Sequence, residues 1–596
     1  MRGSGRFNSA CHGVLLGLMT LPAAAQWSQN ASTGPFLYTD PANWTGGTIN
    51  NTFSANPTAN LNVTWDADYT LSSALSLGYT GTQNITFRSS DSTARTIKMA
   101  GNWTRGGGGT LTIGTVANPL VIDLNGATRT FGGSTSTVQI YAKITNSTGT
   151  AGITLNNGTG YTHLYNNTSD FTGPVNFTRR GGSFSSIRNV GGGASSLGAP
   201  TTAANGLITV SDTTSFGNLD YTGTGDTSDR NWQWNLTGGS YEFKNTGGGK
   251  LTLNGNFTFN TTSTGFAIRA NNADIDLLGV ISDGGTRSIA FTGGGVSTRT
   301  IALGSNNTYS GKTSVSGATL SVSSLKNAGT ASSIGDATGA NANIAIGSST
   351  TAGRLRYTGT GDETDRAVEL AGTTGGAILE QAGAGNLKFA SNFTTTGAGS
   401  KTLTLEGSTS GTGEISGAVA DYDSTNKTSL AKSGSGTWKL SGTSTYTGST
   451  SVSSGTLLVT GQLGNTAVTV SGGAFGGTGM LDGSLTLNAG SFHVMNIADG
   501  LAVTGAVTLY SGFGVDNLTG LDWGSVADGT YMLISGNLTN FNVLDHRSLE
   551  TAYGIGGGRS AYFKEGSLQL VVVPEPSVVM LLGIAAFGLA SRRRRS

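Results

Sequence analysis

A short acidic motif that occurs twice is the part of this sequence best suited to chemistry. Each copy has a Tyr-Thr-Gly-Thr-Gly-Asp run followed by a second aspartate and an arginine: Asp226, Asp229 and Arg230 in the first, and Asp362, Asp365 and Arg366 in the second. Two carboxylates in a glycine-rich turn can bind Ca²⁺ or act as a general acid and base. The third interpretation is a structural turn held by an aspartate–arginine pair. Recurrence favours this turn, because an active site is needed only once.

Other catalytic or metal-binding sets do not emerge from the sequence. His163, His493 and His546 lie far apart, with no neighbouring histidine or cysteine to complete a zinc site. The glycine run 106–109 lacks the lysine and hydroxyl of a phosphate loop, and no Gly-x-Ser-x-Gly elbow is present. We therefore expect no enzyme activity, no catalytic residue and no cofactor, with calcium at the four motif aspartates as the single metal candidate.

The composition is unlike that of ordinary globular domains. The chain has 596 residues, of which 96 are glycine and 9 proline, and charged residues make up only 11%. Soluble domains carry about 25% charged residues, so solvation here must come from hydroxyl and amide side chains. Apolar residues recur in short alternating groups, which favours ordered β structure over disorder. No basic patch predicts binding to nucleic acid.

The body of the chain is internally repetitive. A Tyr-or-Phe, Thr-or-Ser, Gly triplet starts at Phe171, Tyr309 and Tyr446, so that three copies begin near residues 166, 304 and 441. The distance from Tyr221 to Tyr357, in the first two copies, is 136 residues. Repeats at a fixed period indicate stacked structural units that share one core.

Within each copy the pattern predicts very short strands bounded by Gly, Asn or Ser. Segments such as Thr437–Leu440 and Thr456–Val459 alternate in polarity, and no helical period is long enough for a crossover helix. Such strands suit a sandwich, a barrel or a β-solenoid. The stacked self-similarity favours an all-β, right-handed parallel β-helix. Four aromatic residues fit either its core or an exposed sugar-binding row: Tyr221, Trp232, Trp234 and Tyr241.

The N-terminal segment has the layout of a secretory signal. Arg2 and Arg6 precede an apolar stretch, which ends in small residues up to Ala25. We expect cleavage after Ala25 and export of the chain. The only cysteine, Cys11, lies in this segment, so the mature chain can form no disulfide within itself.

The C-terminal end combines a proline stop, an apolar run over 578–590 and a cluster of arginines. The run predicts a membrane helix of about 20 Å, shorter than the roughly 30 Å hydrocarbon core, with the arginines on the cytoplasmic side. The segment closely resembles the PEP-CTERM sorting signal, and a plain membrane anchor is the alternative. That resemblance implies recognition by an exosortase-type enzyme, removal of the tail, and release or attachment at the surface. The residues that carry it are Pro574, Glu575, Pro576, Arg592, Arg593, Arg594 and Arg595.

A second resemblance concerns the repeats. The segment 430–459, with Trp438 and Tyr446 at its centre, resembles the autotransporter-associated β-strand repeat, and residues 306–322 resemble it more faintly. The resemblance implies a β-helical region like those of autotransporter passengers.

These observations divide the chain into five expected parts, which are a signal peptide (1–25), an N-terminal β region (26–160), a β-helical repeat region clearest at 430–460 (161–495), a C-terminal β cap (496–573) and the sorting signal (574–596). We expect a non-catalytic structural or adhesive protein, located at the cell surface, in the outer envelope or in the extracellular matrix. The alternatives are a β-helical polysaccharide lyase or hydrolase and a carbohydrate-binding protein. The expected partners are the sorting enzyme, extracellular polysaccharide or other surface components and, transiently, the inner membrane.

Overall fold

The computed structural model describes residues 36–44, 52–53, 59–78, 81–133, 135–212, 216–261, 265–294, 299–494, 500–564 and 568–575. The predicted signal peptide with Cys11, the residue Pro576, the helix predicted over 578–590 and the arginine cluster lie outside the described residues.

The described chain forms an all-β solenoid of about 19 turns, without an α-helix. Successive coils stack in parallel and in register: Ile85 pairs with Leu111, and Phe87 with Ile113, one coil later. These apolar residues are buried, whereas Thr86 between them points outward. Strict alternation along each short strand therefore creates one narrow core inside the rod. The predicted fold class is confirmed. Its right-handedness stays a prediction, in line with the usual hand of parallel crossovers.

Five sheets run along the rod within the described residues. Sheet A comprises Phe36–Leu37, Leu61–Trp65, Ile85–Ser89, Thr110–Ile113, Thr137–Ile140, Thr162–Leu164, Gly181–Phe184, Phe216–Tyr221, Ser240–Asn245, Phe266–Ala270, Ile289–Gly293, Thr313–Ser316, Ile344–Ser349, Val368–Gly372 and Thr394–Thr395. Sheet B comprises Thr52–Phe53, Leu75–Leu77, Trp103–Arg105, Arg129–Gly133, Ile153–Asn157, Val175–Thr178, Ile208–Asp212, Trp232–Leu236, Phe257–Phe259 and Ile281–Asp283.

The largest sheet extends to the C-terminal end of the described chain. This sheet C comprises Asp226–Ser228, Leu251–Leu253, Ile275–Leu277, Thr300–Leu303, Thr319–Val322, Gly353–Tyr357, Ala377–Gln381, Lys401–Gly407, Thr428–Lys432, Thr443–Ser444, Thr450–Val452, Gln462–Leu463, Val468–Val470, Met480–Leu481, Leu485–Leu487, Leu501–Leu509, Gly529–Leu538, Tyr553–Gly556, Arg559–Phe563 and Leu568–Pro574.

Two smaller sheets and several short turns complete the rod. Sheet D comprises Asp362–Thr364, Leu387–Phe389, Gly413–Ile415, Thr437–Leu440, Thr456–Val459, Gly473–Gly476, Ser491–Val494 and Leu518–Thr519. Sheet E comprises Tyr69–Thr70, Arg95–Lys98, Leu120–Asp123 and Lys143–Thr145. The 3-10 turns are Pro41–Asn43, Gly339–Ala342, Val515–Asn517, Phe541–Val543 and Leu549–Thr551.

The core consists of columns in which one side chain of each coil stacks on the next. The inward column of sheet B is Trp103, Phe131, Leu155, Phe177, Val210, Trp234 and Phe259. Each of these side chains is at most 2% exposed. Burying one such side chain contributes about 1.5–3 kcal/mol, so every coil gains its stability from its two neighbours.

Parallel stacking changes to antiparallel pairing at the C-terminal end. Gly529–Leu538 and Arg559–Phe563 both pair antiparallel with Leu568–Pro574. This arrangement covers a sheet edge that would otherwise expose unpaired backbone groups. At the other end, the parallel pairing crosses residue 160 without a break, since Val138 pairs with Thr162. The domain boundaries given above stay predictions.

Candidate functional site

The repeated acidic motif is a clamp made of hydrogen bonds. In the first copy, one carboxylate oxygen of Asp226 accepts from the Tyr221 hydroxyl (2.9 Å) and from the backbone amide of Ile187 (3.1 Å). Its other oxygen pairs with the guanidinium of Arg188. Since Ile187 and Arg188 precede the motif by a whole coil, Asp226 ties two coils together.

The second copy repeats this geometry. Asp362 accepts from the Tyr357 hydroxyl (3.0 Å) and from the Leu325 amide (2.8 Å), and it pairs with Lys326. In both copies the second aspartate also accepts from a backbone amide of the same loop, at 2.7 Å: Asp229 from Val190 and Asp365 from Ala328.

The clamp holds a surface loop against the rod. The loops are residues 185–207 and 323–343, each of which connects two strands of successive faces. Inside each loop a buried serine accepts from two backbone amides: Ser196 from Ser185 and Ser186, and Ser333 from Ser323 and Ser324. Sequence reasoning missed this partnership. The signal was present, because the Ala-Ser-Ser segment and the acidic motif recur at nearly the same offset.

The arginines of the motif do not pair with its aspartates as predicted. Arg230 is fully buried, and it donates to the carbonyls of Gly206 (2.7 Å) and Leu197 (2.6 Å). Arg366 likewise donates to the carbonyls of Lys326 and Gly335. Burial lowers the pKa of Arg230, and the carbonyl oxygens solvate its charge instead of water. The predicted aspartate–arginine pair was therefore wrong in its partner.

The two copies of the motif lie on different faces of the rod. Asp226–Ser228 belongs to sheet C, whereas Asp362–Thr364 belongs to sheet D. The motif aspartates consequently form no ladder along one side. Among the described residues, no group of three or more His, Cys, Asp or Glu side chains is placed to hold a metal ion. A cation at Asp226 would have to displace the hydrogen bonds that hold the loop.

The three histidines occupy unrelated environments. His163 lies on sheet A and shares a hydrogen bond of 2.8 Å with the Ser183 hydroxyl. His493 is buried on sheet D, and burial lowers its pKa to about 4. His546 lies in the C-terminal cap, where its Nδ1 accepts from the Val515 amide (3.0 Å).

The aromatic residues singled out in the sequence belong to the core. Tyr221, Trp232, Trp234 and Tyr241 are each at most 2% exposed. The rings of Trp232 and Trp234 stack at 5.9 Å between centroids. They cannot form an exposed sugar-binding row.

The outer face of sheet B is polar and uncharged over many coils. Two columns of outward side chains run along it, made of Thr, Ser, Asn and Gln with one glycine: Thr104, Gly132, Asn156, Thr178, Ser211 and Asn235 in the first, and Thr130, Thr154, Asn176, Thr209, Gln233, Thr258 and Ser282 in the second. Hydroxyl and amide groups spaced by one strand separation, about 4.8 Å, offer donors and acceptors in regular rows.

Sheet D carries the contrasting surface, a column of alternating charge. Glu363, Lys388, Glu414 and Lys439 occupy successive rungs. Lys388 pairs with Glu363 at 3.1 Å and Lys439 with Glu414 at 3.4 Å. The first three of these residues line a groove with a volume of about 420 Å³. Two acids and a lysine in a groove resemble the set that a polysaccharide-cleaving β-helix requires, although here each acid is already paired.

The start of the predicted sorting signal lies at the end of the final strand. Leu568–Pro574 is paired on both sides, and Pro574 and Glu575 are exposed. Within the described part of the chain, no helix has the length and apolar character needed to span a membrane.

Comparisons with known proteins agree with both resemblances. Residues 298–322 and 430–459 match the passenger-associated-transport-repeat family, and residues 572–595 match the PEP-CTERM protein-sorting motif. The chain is 36% identical over 348 residues to a curated protein, the adhesin BmaC autotransporter of Brucella suis biovar 1 (strain 1330). The matched region covers 56% of this chain and 10% of that protein, so the chain spans about a tenth of its length. No solved structure matches.

Chain and comparisons together establish a β-solenoid that carries autotransporter-associated repeats and a PEP-CTERM sorting motif. The motif implies recognition by an exosortase-type sorting enzyme and supports an exported protein of the cell surface.

Proposed function

We propose that this protein is a non-catalytic rod of the cell envelope or extracellular polysaccharide matrix, with an adhesive role. The observation that carries the proposal is the outer surface of sheet B, where two outward columns present hydroxyl and amide groups without a charge from coil to coil. A repeated surface of this kind binds extended ligands through many weak contacts, rather than one ligand through a deep site. The adhesin-named relative and the sorting motif support the same role.

The rod architecture suits this role physically. Each coil is stabilised by its neighbours, so that length can grow without a larger core. The clamps at Asp226 and Asp362 fix two surface loops, and most other described polar groups face outward on the sheets. Such a body extends a binding surface away from the membrane at which it is sorted.

The test uses the native host and the full chain. We expect intact-mass measurement after fractionation to find a species that starts at Gln26 and ends near Pro574, located in the outer envelope or matrix. Deletion of the gene should reduce attachment of cells to their own matrix, and the added mature protein should restore it. A species that retains Arg592–Arg595 in the inner membrane, with unchanged attachment after deletion, would contradict the proposal.

The groove on sheet D supports one alternative, a β-helical polysaccharide lyase or hydrolase. It places Glu363, Lys388 and Glu414 on adjacent coils. Incubation of the mature protein with neutral and acidic polysaccharides should release no new reducing ends. Release that Glu414→Gln abolishes would replace the adhesive proposal with the enzymatic one.

A further inference from the structure

A row of aromatic rings lies on the outside of the rod, where the sequence did not predict one. Tyr161, His163 and Tyr165 alternate with the buried residues Thr162 and Leu164 on sheet A, and all three rings are partly exposed. Neighbouring ring centroids are 6.4 Å and 6.0 Å apart, with interplanar angles of 31° and 23°. The three rings therefore stand side by side in nearly one plane.

The orientation of this plane follows from a fourth ring. Tyr141 lies one coil before Tyr165, because Ile140 pairs with Leu164. The rings of Tyr141 and Tyr165 stack at 4.6 Å with an interplanar angle of 18°. Two rings stacked across adjacent coils have their faces directed along the rod axis. The row of three thus turns one face towards the preceding coil and the other towards the following coil.

The following coil has only small residues beside this row. Thr162 pairs with Gly182 and Leu164 with Phe184, which places Gly181, Ser183 and Ser185 opposite the three rings. None of these three has a side chain large enough to cover a ring face. They form the floor of a slot.

The coil after that supplies the opposite wall of the slot. Asn218 pairs with Gly181 and Asp220 with Ser183, and Thr222 follows beside Ser185. Two strand separations, about 9.6 Å, lie between this polar wall and the aromatic wall. That width holds one flat sugar ring in van der Waals contact with both walls. The four-residue length of about 13 Å accommodates roughly two sugar residues.

The two walls suit the two kinds of surface on a pyranose. Its C–H face stacks on an aromatic ring, which supplies a large rigid apolar area, and its hydroxyls need acceptors and donors at the edge. Asn218 and Asp220 supply these, and they are oriented by a mutual hydrogen bond of 2.9 Å. The carboxylate of Asp220 would repel a uronate. Burial lowers the pKa of His163, which keeps its ring uncharged at neutral pH.

From this arrangement we infer that the slot between Tyr161–Tyr165 and Asn218–Thr222 binds one strand of a neutral polysaccharide, laid across the rod. The inference rests on the proposed adhesive function and gives it a ligand class and a site. The polar columns of sheet B belong to the adjacent face and are not required for it.

The experiment is affinity electrophoresis of the mature protein in gels that contain glucomannan, galactomannan, dextran or alginate. We expect retardation by at least one of the three neutral polymers. Tyr161→Ala and Tyr165→Ala should each weaken the apparent Kd about tenfold, since each removes one stacking surface. Tyr165→Phe keeps the ring and should bind like the native chain. Tyr422→Ala is the matched control, because Tyr422 is 42% exposed and remote from the slot.

Asp220→Ala serves as a second variant, on the polar wall and away from the core. It should weaken binding while the thermal midpoint, followed by circular dichroism, stays that of the native chain. Equal retardation of native protein, Tyr165→Ala and Asp220→Ala would overturn the inference. Retardation by alginate alone, or by none of the polymers, would also overturn it. These outcomes leave the adhesive proposal standing, because attachment and localisation are measured separately in cells.

Discussion

The backbone amide of Leu325 donates a hydrogen bond of 2.8 Å to the carboxylate of Asp362, 37 residues away in the sequence. The same carboxylate accepts from Tyr357 and pairs with Lys326. One acidic side chain thereby fixes the start of the loop 323–343. Its counterpart Asp226 does the same for the loop 185–207.

Replacing Asp362 should release this loop. Asp362→Ala leaves the Leu325 amide and the Tyr357 hydroxyl without their acceptor, which costs about 1–3 kcal/mol for each buried group. We expect a lower thermal midpoint and faster cleavage by trypsin at Lys326. Glu363→Gln is the control, because the neighbouring acid is exposed and should leave both measurements unchanged. Equal protease sensitivity of the two variants would show that Asp362 is not the clamp.

Calcium should have no effect on this clamp. The oxygens of Asp226 and Asp362 already accept hydrogen bonds from amides and hydroxyls, so a bound ion would have to replace these partners. Thermal unfolding in excess Ca²⁺ and in EDTA should give the same midpoint, within the error of the measurement. A higher midpoint in Ca²⁺ that Asp226→Asn and Asp362→Asn abolish would restore the calcium interpretation.

Much of the fold follows from the sequence, since alternation in short strands between glycine corners leaves few architectures that bury the apolar residues. What the sequence could not supply is which of two alternating sets faces inward. In the segment 161–165, the aromatic residues face outward and Thr162 faces inward, against hydrophobicity alone. The preference is set by stacking: Leu164 continues a column with Ile140 and Phe184, which no single strand reveals.

The repeated motif was recognised, but its geometry was not. The spacing of 136 residues does not correspond to whole coils, and the second copy lies one sheet further around the rod. The partners of Asp226 come from an earlier coil, so contacts inside the motif were the wrong place to look. Arg230 looked like a surface partner for an acid, whereas it is a buried donor to carbonyls.

Acid should destabilise the rod through His493. This side chain is 2% exposed, and burial lowers its pKa from 6.5 to about 4. Between these values the unfolded chain binds a proton that the folded chain does not, so stability falls as pH decreases from 6.5 to 4. The loss amounts to about 3 kcal/mol and is complete below that range. His493→Gln cannot titrate and should remove this part of the pH dependence.

The measurement is urea unfolding at pH 7 and at pH 4 for both chains. Only the difference between the two pH values is compared, because the substitution also changes packing at either pH. His163→Gln is the control, since that histidine is partly exposed on sheet A. A native-like pH difference in His493→Gln would place the acid sensitivity elsewhere, for example at carboxylates such as Asp123, whose pKa is lowered in the fold.

A single methyl group should disturb the stacking of the repeat. A Cβ on Gly413 would lie 2.5 Å from the ring of Trp438, which is fully buried and donates its indole N–H to the carbonyl of Glu406 at 2.8 Å. Gly413→Ala forces that ring to move and should cost about 1–3 kcal/mol. Gly248→Ala is the matched control, because nothing lies within 4 Å of the position that its methyl group would take. It should be neutral, or slightly stabilising through the unfolded chain. Thermal midpoints of the two variants decide the matter: a Gly413→Ala chain as stable as Gly248→Ala would mean that Trp438 does not seal this coil.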